Sequence, residues 1–307
     1  MALIIVLMIM AILSGMSLTL ANLTEQEFRR SDSQIIHNSL YYIALGGEAL
    51  AMAMMSNSVE KEGGAFHARI PTLFPETSNI APEVFPHKIK IDLVDLQGRF
   101  NISNLVSKGD KSVSNSQILV FKNYCRELSL TTTLCLDLLQ LIREQHLTNS
   151  DSESADYTRL FEAVSRMIET GQINQAQSAI VANAFTSLPK GTAVNLYTAS
   201  AELLHALAPN LSRGTIAKFI ASRENLGPVL RTQTSVHPLL SVLSRSNFPI
   251  TIGSEYFAIN TVVRHKNYRR ALQSVIRVDS MTGSTVLILR RSLEFPQLDL
   301  PLFTFEA

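Results

Sequence analysis

Hydrophobic positions change their spacing along the chain, and the changes divide it into segments of different predicted structure. Residues 1–22 contain no Asp, Glu, Lys or Arg, and an apolar run of this length can cross a bilayer as one helix of about 20 residues. Residues 23–57 contain no proline and repeat apolar side chains every three to four positions, the period of one helix face. Together the two segments predict one N-terminal helix of roughly 55 residues, about 80 Å long.

Strand signals lie on both sides of the middle of the chain. Residues 87–95 alternate polar and apolar side chains after a segment rich in Pro and Gly, which predicts a strand. The same alternation predicts three later strands at 256–265, 270–278 and 284–291. One face of the first of these carries Phe257, Ile259, Thr261 and Val263. These strands fit a single antiparallel sheet whose apolar face the long helix would cover.

The segment between the strands has helical spacing in short pieces separated by Gly and Pro. The candidate helices are at 116–127, 133–145, 157–169, 174–187, 199–208 and 212–224. Residues 101–238 therefore predict an all-helical block inserted into the sheet, and the expected fold class is α+β.

Composition and charge exclude several classes of function. The formal net charge of +1 argues against a strongly basic chain that coats nucleic acid and against a strongly acidic one. The sequence has no Gly-rich phosphate loop, no His pair with a Glu on a helix and no nucleophile elbow. Its histidines are scattered through different predicted elements. We therefore expect no enzymatic activity.

Two cysteines, Cys125 and Cys135, allow two interpretations. They are either a pair of buried thiols in a helical region or a disulfide that joins two short helices in an oxidising compartment. The threonines at 131–133 could end one helix and begin the next, which would let the two sulfur atoms meet. A zinc site is not expected, because no second Cys or His pair has ligand spacing.

The most acidic loop, at residues 149–156, also has two interpretations. It is either a solvated linker that caps the next helix or a calcium site formed by Asp151, Glu153 and Asp156, since clustered hard oxygen ligands suit that ion. The spacing does not match the twelve-residue calcium loop of helix-loop-helix proteins.

Residues 195–204, followed by residues 207–212 and Arg223, look like the helix-hairpin-helix modules that bind nucleic acid. Those modules share an Asn-x-x-Thr-Ala-Ser start, and a Gly-rich hairpin brings backbone N–H groups close to a phosphate. The hairpin here contains no glycine, and basic side chains are not concentrated beside it. We expect the fold of the module without nucleic-acid binding, and the alternative function is a membrane-anchored DNA-binding module.

Over nearly its whole length the chain resembles the K-type minor pseudopilins (general secretion pathway protein K) of bacterial type II secretion systems. Besides the N-terminal helix, the resemblance rests on the segments 41–51, 95–105, 188–204 and 254–257, together with Gly227-Pro228. The sequences Tyr-Ile-Ala-Leu-Gly-Gly-Glu-Ala-Leu and Gln-Gly-Arg-Phe-Asn are fairly specific in combination.

This resemblance implies a pilin-like fold, in which a long helix packs on an antiparallel sheet and a large all-α domain, SAM-like or helix-hairpin-helix-like, is inserted. Residues 1–22 would be the transmembrane part of the helix, and residues 23–100 its periplasmic part with the first part of the pilin-like domain. Residues 101–238 would form the inserted domain, and residues 239–307 the returning strands. The chain is expected in the inner membrane, with a single pass and its C-terminal domain in the periplasm.

The resemblance further implies cleavage by prepilin peptidase after a Gly and N-methylation of the new first residue. Met1 stands where the mature family sequence begins. Most pilin-type subunits carry Glu at the fifth mature position, where it neutralises the N-terminal amine of a neighbour. This chain has Ile5 there, and K-type members characteristically lack that Glu. A subunit without this carboxylate suits the end of a filament.

The implied function is that of a tip subunit, which initiates or caps the pseudopilus for export of folded proteins across the outer membrane. The implied partners are the I- and J-type minor pseudopilins, the H-type and the major pseudopilin, with no nucleic acid. K-type members bind calcium in the helical domain, but this chain keeps only residues 154–157 of the usual acidic pattern. Calcium is the single cofactor that the sequence suggests.

Overall fold

The computed structural model describes residues 2–61, 87–105, 115–148, 153–223, 238–243, 248–279 and 282–294. In chain order its helices and strands are α1 (Ala2–Lys61), β1 (Lys88–Asp95), β2 (Phe100–Asn101), α2 (Asn115–Glu127), α3 (Thr132–Thr148), α4 (Glu153–Glu169), α5 (Gln175–Ala184), β3 (Phe185–Thr186), β4 (Val194–Asn195), α6 (Ala201–Leu207), α7 (Arg213–Arg223), α8 (Pro238–Leu243), β5 (Ile250–Thr251), β6 (Tyr256–His265), β7 (Tyr268–Val278) and β8 (Thr285–Glu294). A 3-10 helix at Ile102–Leu105 follows β2.

Four strands form one antiparallel sheet in the order β1, β6, β7, β8. This arrangement confirms the prediction of one strand before the helical segment and three after it. The predicted face is also correct, because Phe257, Ile259 and Val263 are buried on the side that α1 covers. The α+β, pilin-like fold class is therefore confirmed.

The second half of α1 lies lengthwise on this sheet. Leu40 of α1 packs with Val263 near the end of β6, and Met55, further along α1, packs with Phe257 near the start of β6. The turn that follows His265 therefore lies at the end of the sheet nearest the first half of α1. These contacts fix the direction of the sheet relative to the long helix.

Helices α2 to α8 share a hydrophobic core of their own, distinct from the contact between α1 and the sheet. Its centre is an aromatic cluster with ring centroids 5.4 to 6.2 Å apart, made of Phe100, Phe121, Tyr124 and Phe185. The core continues through α8 to Phe248, past the expected boundary at residue 238.

The sequence predicts that the middle of the chain is all-helical. The structure corrects this prediction, because short strands lie between the helices. The helix predicted at 174–187 ends at Ala184, and Phe185–Thr186 pairs in parallel with Phe100–Asn101. A second parallel pair joins Val194–Asn195 to Ile250–Thr251. Long-range pairing prevails over the local helical pattern here, and Phe185 is extended and completely buried in the aromatic cluster.

Candidate functional site

The first half of α1 extends beyond the sheet. Its large apolar side chains between Leu3 and Leu23 are exposed. Among the described residues this helix is the one that is long and apolar enough to cross a membrane, and its apolar part is not buried. Ile5 lies here with 59% of its surface exposed, whereas Met1 lies outside the described residues. Such a surface suits both a membrane anchor and a contact with other helices.

Glu48 attaches α1 to the last strands of the sheet. Its side chain is only 3% exposed, and it forms an ion pair with Arg290 of β8. The carboxylate accepts a hydrogen bond of 2.8 Å from Nε of Arg290 and another from the hydroxyl of Ser274. The bond from Arg290 to Glu48 raises the pKa of Arg290. The bonds made by this buried carboxylate fix the rotation of α1 about its own axis.

Gly47, next to Glu48, lets α1 approach the sheet closely. A Cβ at this position would lie 3.0 Å from Cδ1 of Ile91 and 3.0 Å from Cγ2 of Thr261. Contacts this short require the neighbouring side chains to move. The Gly-Gly-Glu sequence is therefore part of the contact between helix and sheet.

Asp95, the last residue of β1, connects the sheet to the helical block. Its buried carboxylate accepts hydrogen bonds from the backbone N–H of Gln97 at 2.8 Å and from Nδ2 of Asn195 at 3.0 Å. It also accepts from the hydroxyls of Thr198 at 2.5 Å and Ser254 at 2.6 Å. Burial raises the pKa of Asp95, and the four hydrogen bonds offset part of that rise. Three segments of the chain, at residues 95–97, 195–198 and 254, meet at this one carboxylate.

Gln97 and Gly98 complete the connection beside Asp95. Oε1 of Gln97 accepts hydrogen bonds from the backbone N–H groups of Glu255 at 2.6 Å and Tyr256 at 3.2 Å, where β6 begins. A Cβ at Gly98 would lie 2.6 Å from Oγ1 and 2.9 Å from the carbonyl oxygen of Thr198. Only glycine allows this close approach of the two backbones.

The residues that follow hold the segment between α5 and β4. Nη1 of Arg99 donates to the carbonyl of Ala182 at 2.7 Å, and burial lowers the pKa of Arg99. Nδ2 of Asn101 donates to the carbonyls of Leu188 at 3.2 Å and Pro189 at 3.1 Å. Residues 95–101 therefore form a structural joint between the sheet and the helical block.

This joint places the helical block at the end of the sheet that is farther from the exposed half of α1. Asp95 and Tyr256 lie at that end of β1 and β6, opposite the turn after His265. Part of α4 also covers the outer face of the sheet, where Tyr157 packs with Ala258 and Val275. The chain thus has an exposed helix at one end and a bulky block at the other.

The residues that resemble a helix-hairpin-helix module have internal roles. Asn195 and Thr198 bind Asp95, and Nη1 of Arg223 donates to the carbonyl of Ala199 at 2.8 Å. Ser200 caps α6 by accepting from the backbone N–H of Leu203. These side chains hold the hairpin together, so they are not available to contact a phosphate.

Arg213, a basic residue beside the same hairpin, also forms an ion pair. Nη2 of Arg213, at the start of α7, lies 2.6 Å from a carboxylate oxygen of Glu127 on α2. The other oxygen of Glu127 lies 3.1 Å from Nδ1 of His205. The carboxylate therefore joins the hairpin to α2.

The predicted calcium ligands are only partly covered by the structure. Asp151 lies outside the described residues, while Glu153 and Asp156 belong to the first turn of α4. Within the described ranges no cluster of three or more His, Cys, Asp or Glu residues is arranged to hold a metal ion. Calcium binding stays a prediction.

Cys125 at the end of α2 and Cys135 near the start of α3 are joined by a disulfide, with their Cα atoms 6.5 Å apart. The chain turns between them at Ser129, which has a φ of 56°, and the hydroxyl of Thr131 accepts from the backbone N–H of Leu134 at 3.3 Å. The disulfide holds the two helices together at this turn.

Two histidines that are distant in the sequence meet at the end of the sheet nearest the exposed half of α1. The rings of His87 and His265 have centroids 4.7 Å apart. Burial, followed by the charge of His265, lowers the pKa of His87. No sequence signal pointed to this pair, because it depends on the register between β1 and β6.

No protein-family model and no curated protein matches the chain. A search of solved structures finds a chain of the GspK-GspI-GspJ complex from the type 2 secretion system of enterotoxigenic Escherichia coli, with a TM-score of 0.59 and 16% sequence identity. The match covers 86% of this chain and 99% of that one. The likeness shows a common fold and agrees with the resemblance found in the sequence.

Proposed function

We propose that this chain is a K-type minor pseudopilin at the tip of a type II secretion pseudopilus, where it initiates or caps assembly for the export of folded proteins. The observation that carries this proposal is the position of the helical block. Its joint at Asp95 lies at the end of the sheet farther from the exposed half of α1. Subunits below can pack along α1, while the block covers the place where a subunit above would stack.

Ile5 supports the same position. A carboxylate in hydrocarbon is costly unless it is paired, and Ile5 offers none to the N-terminal amine of a subunit above. Its exposed side chain can instead pack against neighbouring helices. The role is structural, and we do not assign a reaction to the chain.

The structural neighbour was solved as a complex of GspK, GspI and GspJ. By extension we propose the I- and J-type minor pseudopilins as direct partners of this chain, and the H-type and major pseudopilins as further members of the assembly. We also propose cleavage by prepilin peptidase before Met1, N-methylation of that residue, and a periplasmic location for everything beyond the membrane-crossing part of α1.

Co-purification tests the proposal. The full chain, carrying an affinity tag, is produced together with the I- and J-type pseudopilins of the same system and extracted in a mild detergent. We expect all three to be recovered together, whereas an unrelated single-pass protein with the same tag should recover neither partner. Recovery of the tagged chain alone, while the other two still bind each other, would contradict the proposal.

The same purified chain tests the alternative function. Because Asn195, Thr198 and Arg223 bind groups within the protein, we expect no retention of duplex DNA in a filter-binding titration at low salt. Tight retention that is lost at high salt would favour a DNA-binding module instead.

A further inference from the structure

Three basic side chains lie at the end of the sheet nearest the exposed half of α1. They are Lys88 at the start of β1, Arg264 near the end of β6 and Lys266 in the turn between β6 and β7, and we name them the basic rim. All three are exposed. This end of the sheet lies beside His37 of α1, whose ring is 5.4 Å from that of Tyr268 at the start of β7.

The register of the sheet brings positive charges into opposition at the rim. Lys88 lies directly opposite Arg264, and Arg264 lies directly opposite Arg269. Like charges opposite each other on one face of a sheet are destabilising. Two residues further along β1, by contrast, Lys90 lies 3.5 Å from a carboxylate oxygen of Asp92.

No carboxylate within the described ranges compensates the rim. Lys88, Arg264 and Lys266 form no ion pair and no side-chain hydrogen bond in the part of the chain that the structure describes. The isolated subunit therefore carries an exposed positive surface whose repulsion is not relieved by those residues. A partner that supplies carboxylates would relieve it.

Lipid head groups lie too far from the rim to be that partner. From Leu23, where the apolar run ends, to His37 the helix rises about 21 Å. This distance exceeds the screening length of about 8 Å at physiological ionic strength. The charges on the intervening helix are themselves paired, with Arg29 2.6 Å from Glu25. A protein surface that lies beside the rim is therefore a better partner than lipid head groups.

We propose that the basic rim docks on a carboxylate-rich surface of the globular domain of the pseudopilin directly beneath this one, an inference that rests on the proposed function. The rim lies beside the exposed part of α1, so one neighbour can contact both. Complementary charges of this kind speed association and set its register, and their effect falls with salt.

Charge reversal tests the inference. The full chain with Arg264→Glu and Lys266→Glu is co-produced with the I- and J-type pseudopilins and purified in neutral detergent, alongside the wild type and a control, Lys218→Glu, on the exposed surface of α7. We expect the double variant to bind its partners at least about tenfold more weakly. The control should bind like the wild type, and wild-type binding should weaken as salt rises.

The isolated double variant supplies a second measurement. The substitution Arg264→Glu places a carboxylate opposite Lys88 and Arg269 across the sheet, so the thermal unfolding temperature of the variant should be equal to or above that of the wild type. If the double variant binds its partners more weakly but is at least as stable as the wild type, misfolding does not explain the weaker binding.

The outcomes separate this inference from the proposed function. If the wild type does not bind the partners, the proposed function fails. If the wild type binds and the double variant binds equally well at all salt concentrations, only the docking surface is wrong. A third outcome is salt-sensitive assembly in nanodiscs with anionic lipid but not in neutral detergent. This result would mean that the rim binds lipid, and it would also overturn the inference.

Discussion

Replacement of Asp95 by alanine should uncouple the helical block from the sheet. The substitution removes the carboxylate that accepts hydrogen bonds from Gln97, Asn195, Thr198 and Ser254. Asn195 keeps a partner, because its Nδ2 also donates to the hydroxyl of Ser254 at 2.8 Å. The backbone N–H of Gln97 and the hydroxyls of Thr198 and Ser254 lose their acceptor.

The magnitude follows from these three donors. A buried donor without a partner costs about 1–3 kcal/mol. Removal of the carboxylate also removes its own unfavourable burial, the cause that raises the pKa of Asp95. We expect the free energy of unfolding to fall by about 2–4 kcal/mol. The control is Asp92→Ala on the same strand, which loses only the ion pair with Lys90 and should change stability by less than about 1 kcal/mol.

Urea unfolding of the full chain in mild detergent, followed by far-UV circular dichroism, measures both variants.

A further variant, Asp95→Asn, cannot titrate. Because the native pKa of Asp95 is raised above its ordinary value of 3.8, the native state binds more protons than the unfolded state between the two values. The contribution of Asp95 to stability is fully present below 3.8 and is lost as pH rises through the native pKa.

The stability of the wild type relative to Asp95→Asn should therefore increase as pH falls through this window. A loss in Asp95→Ala no larger than that in the control would refute the role of Asp95 as a joint. A relative stability that changes with pH in the opposite direction would refute the assigned environment of its carboxyl group.

The same unfolding measurement checks three other features. Glu48→Gln should lower the free energy of unfolding by about 1–3 kcal/mol, because it leaves the buried contact with β8 without its charge; an unchanged value would contradict the anchoring role. Replacement of Cys125 and Cys135 by serine should cost about 2–4 kcal/mol, and a reductant should destabilise the wild type but not this variant. Gly98→Ala should cost about 1–3 kcal/mol, whereas Gly46→Ala, with open space around it, should be neutral or stabilising by up to about 1 kcal/mol.

Features set by local spacing could be predicted from the sequence. The helix of residues 23–57 and the strand of residues 256–265 show their periodicity directly, and both occur as expected. The face of β6 that meets α1 follows from the same alternation. The strands Phe185–Thr186 and Val194–Asn195 could not be predicted this way, because each has only two residues and depends on a distant partner.

The candidate site was harder to predict for the same reason. The segments around Glu48 and Asp95 were recognised by resemblance, but the partners of these carboxylates lie far away in the chain. Arg290 is 242 positions from Glu48, and Ser254 is 159 positions from Asp95. Such pairs arise from the register of the sheet, which no local pattern of the sequence reveals. The meeting of His87 and His265 has the same origin.

The most direct test of the tip position is site-specific photo-crosslinking in membranes that assemble the pseudopilus. One photoreactive residue replaces Leu20, in the exposed half of α1, and a second, in a separate variant, replaces Lys218 in the helical block. We predict crosslinks to other pseudopilins from position 20 and none from position 218. Crosslinks from position 218 to another pseudopilin, at a yield similar to that from position 20, would place a subunit above this one and contradict the account.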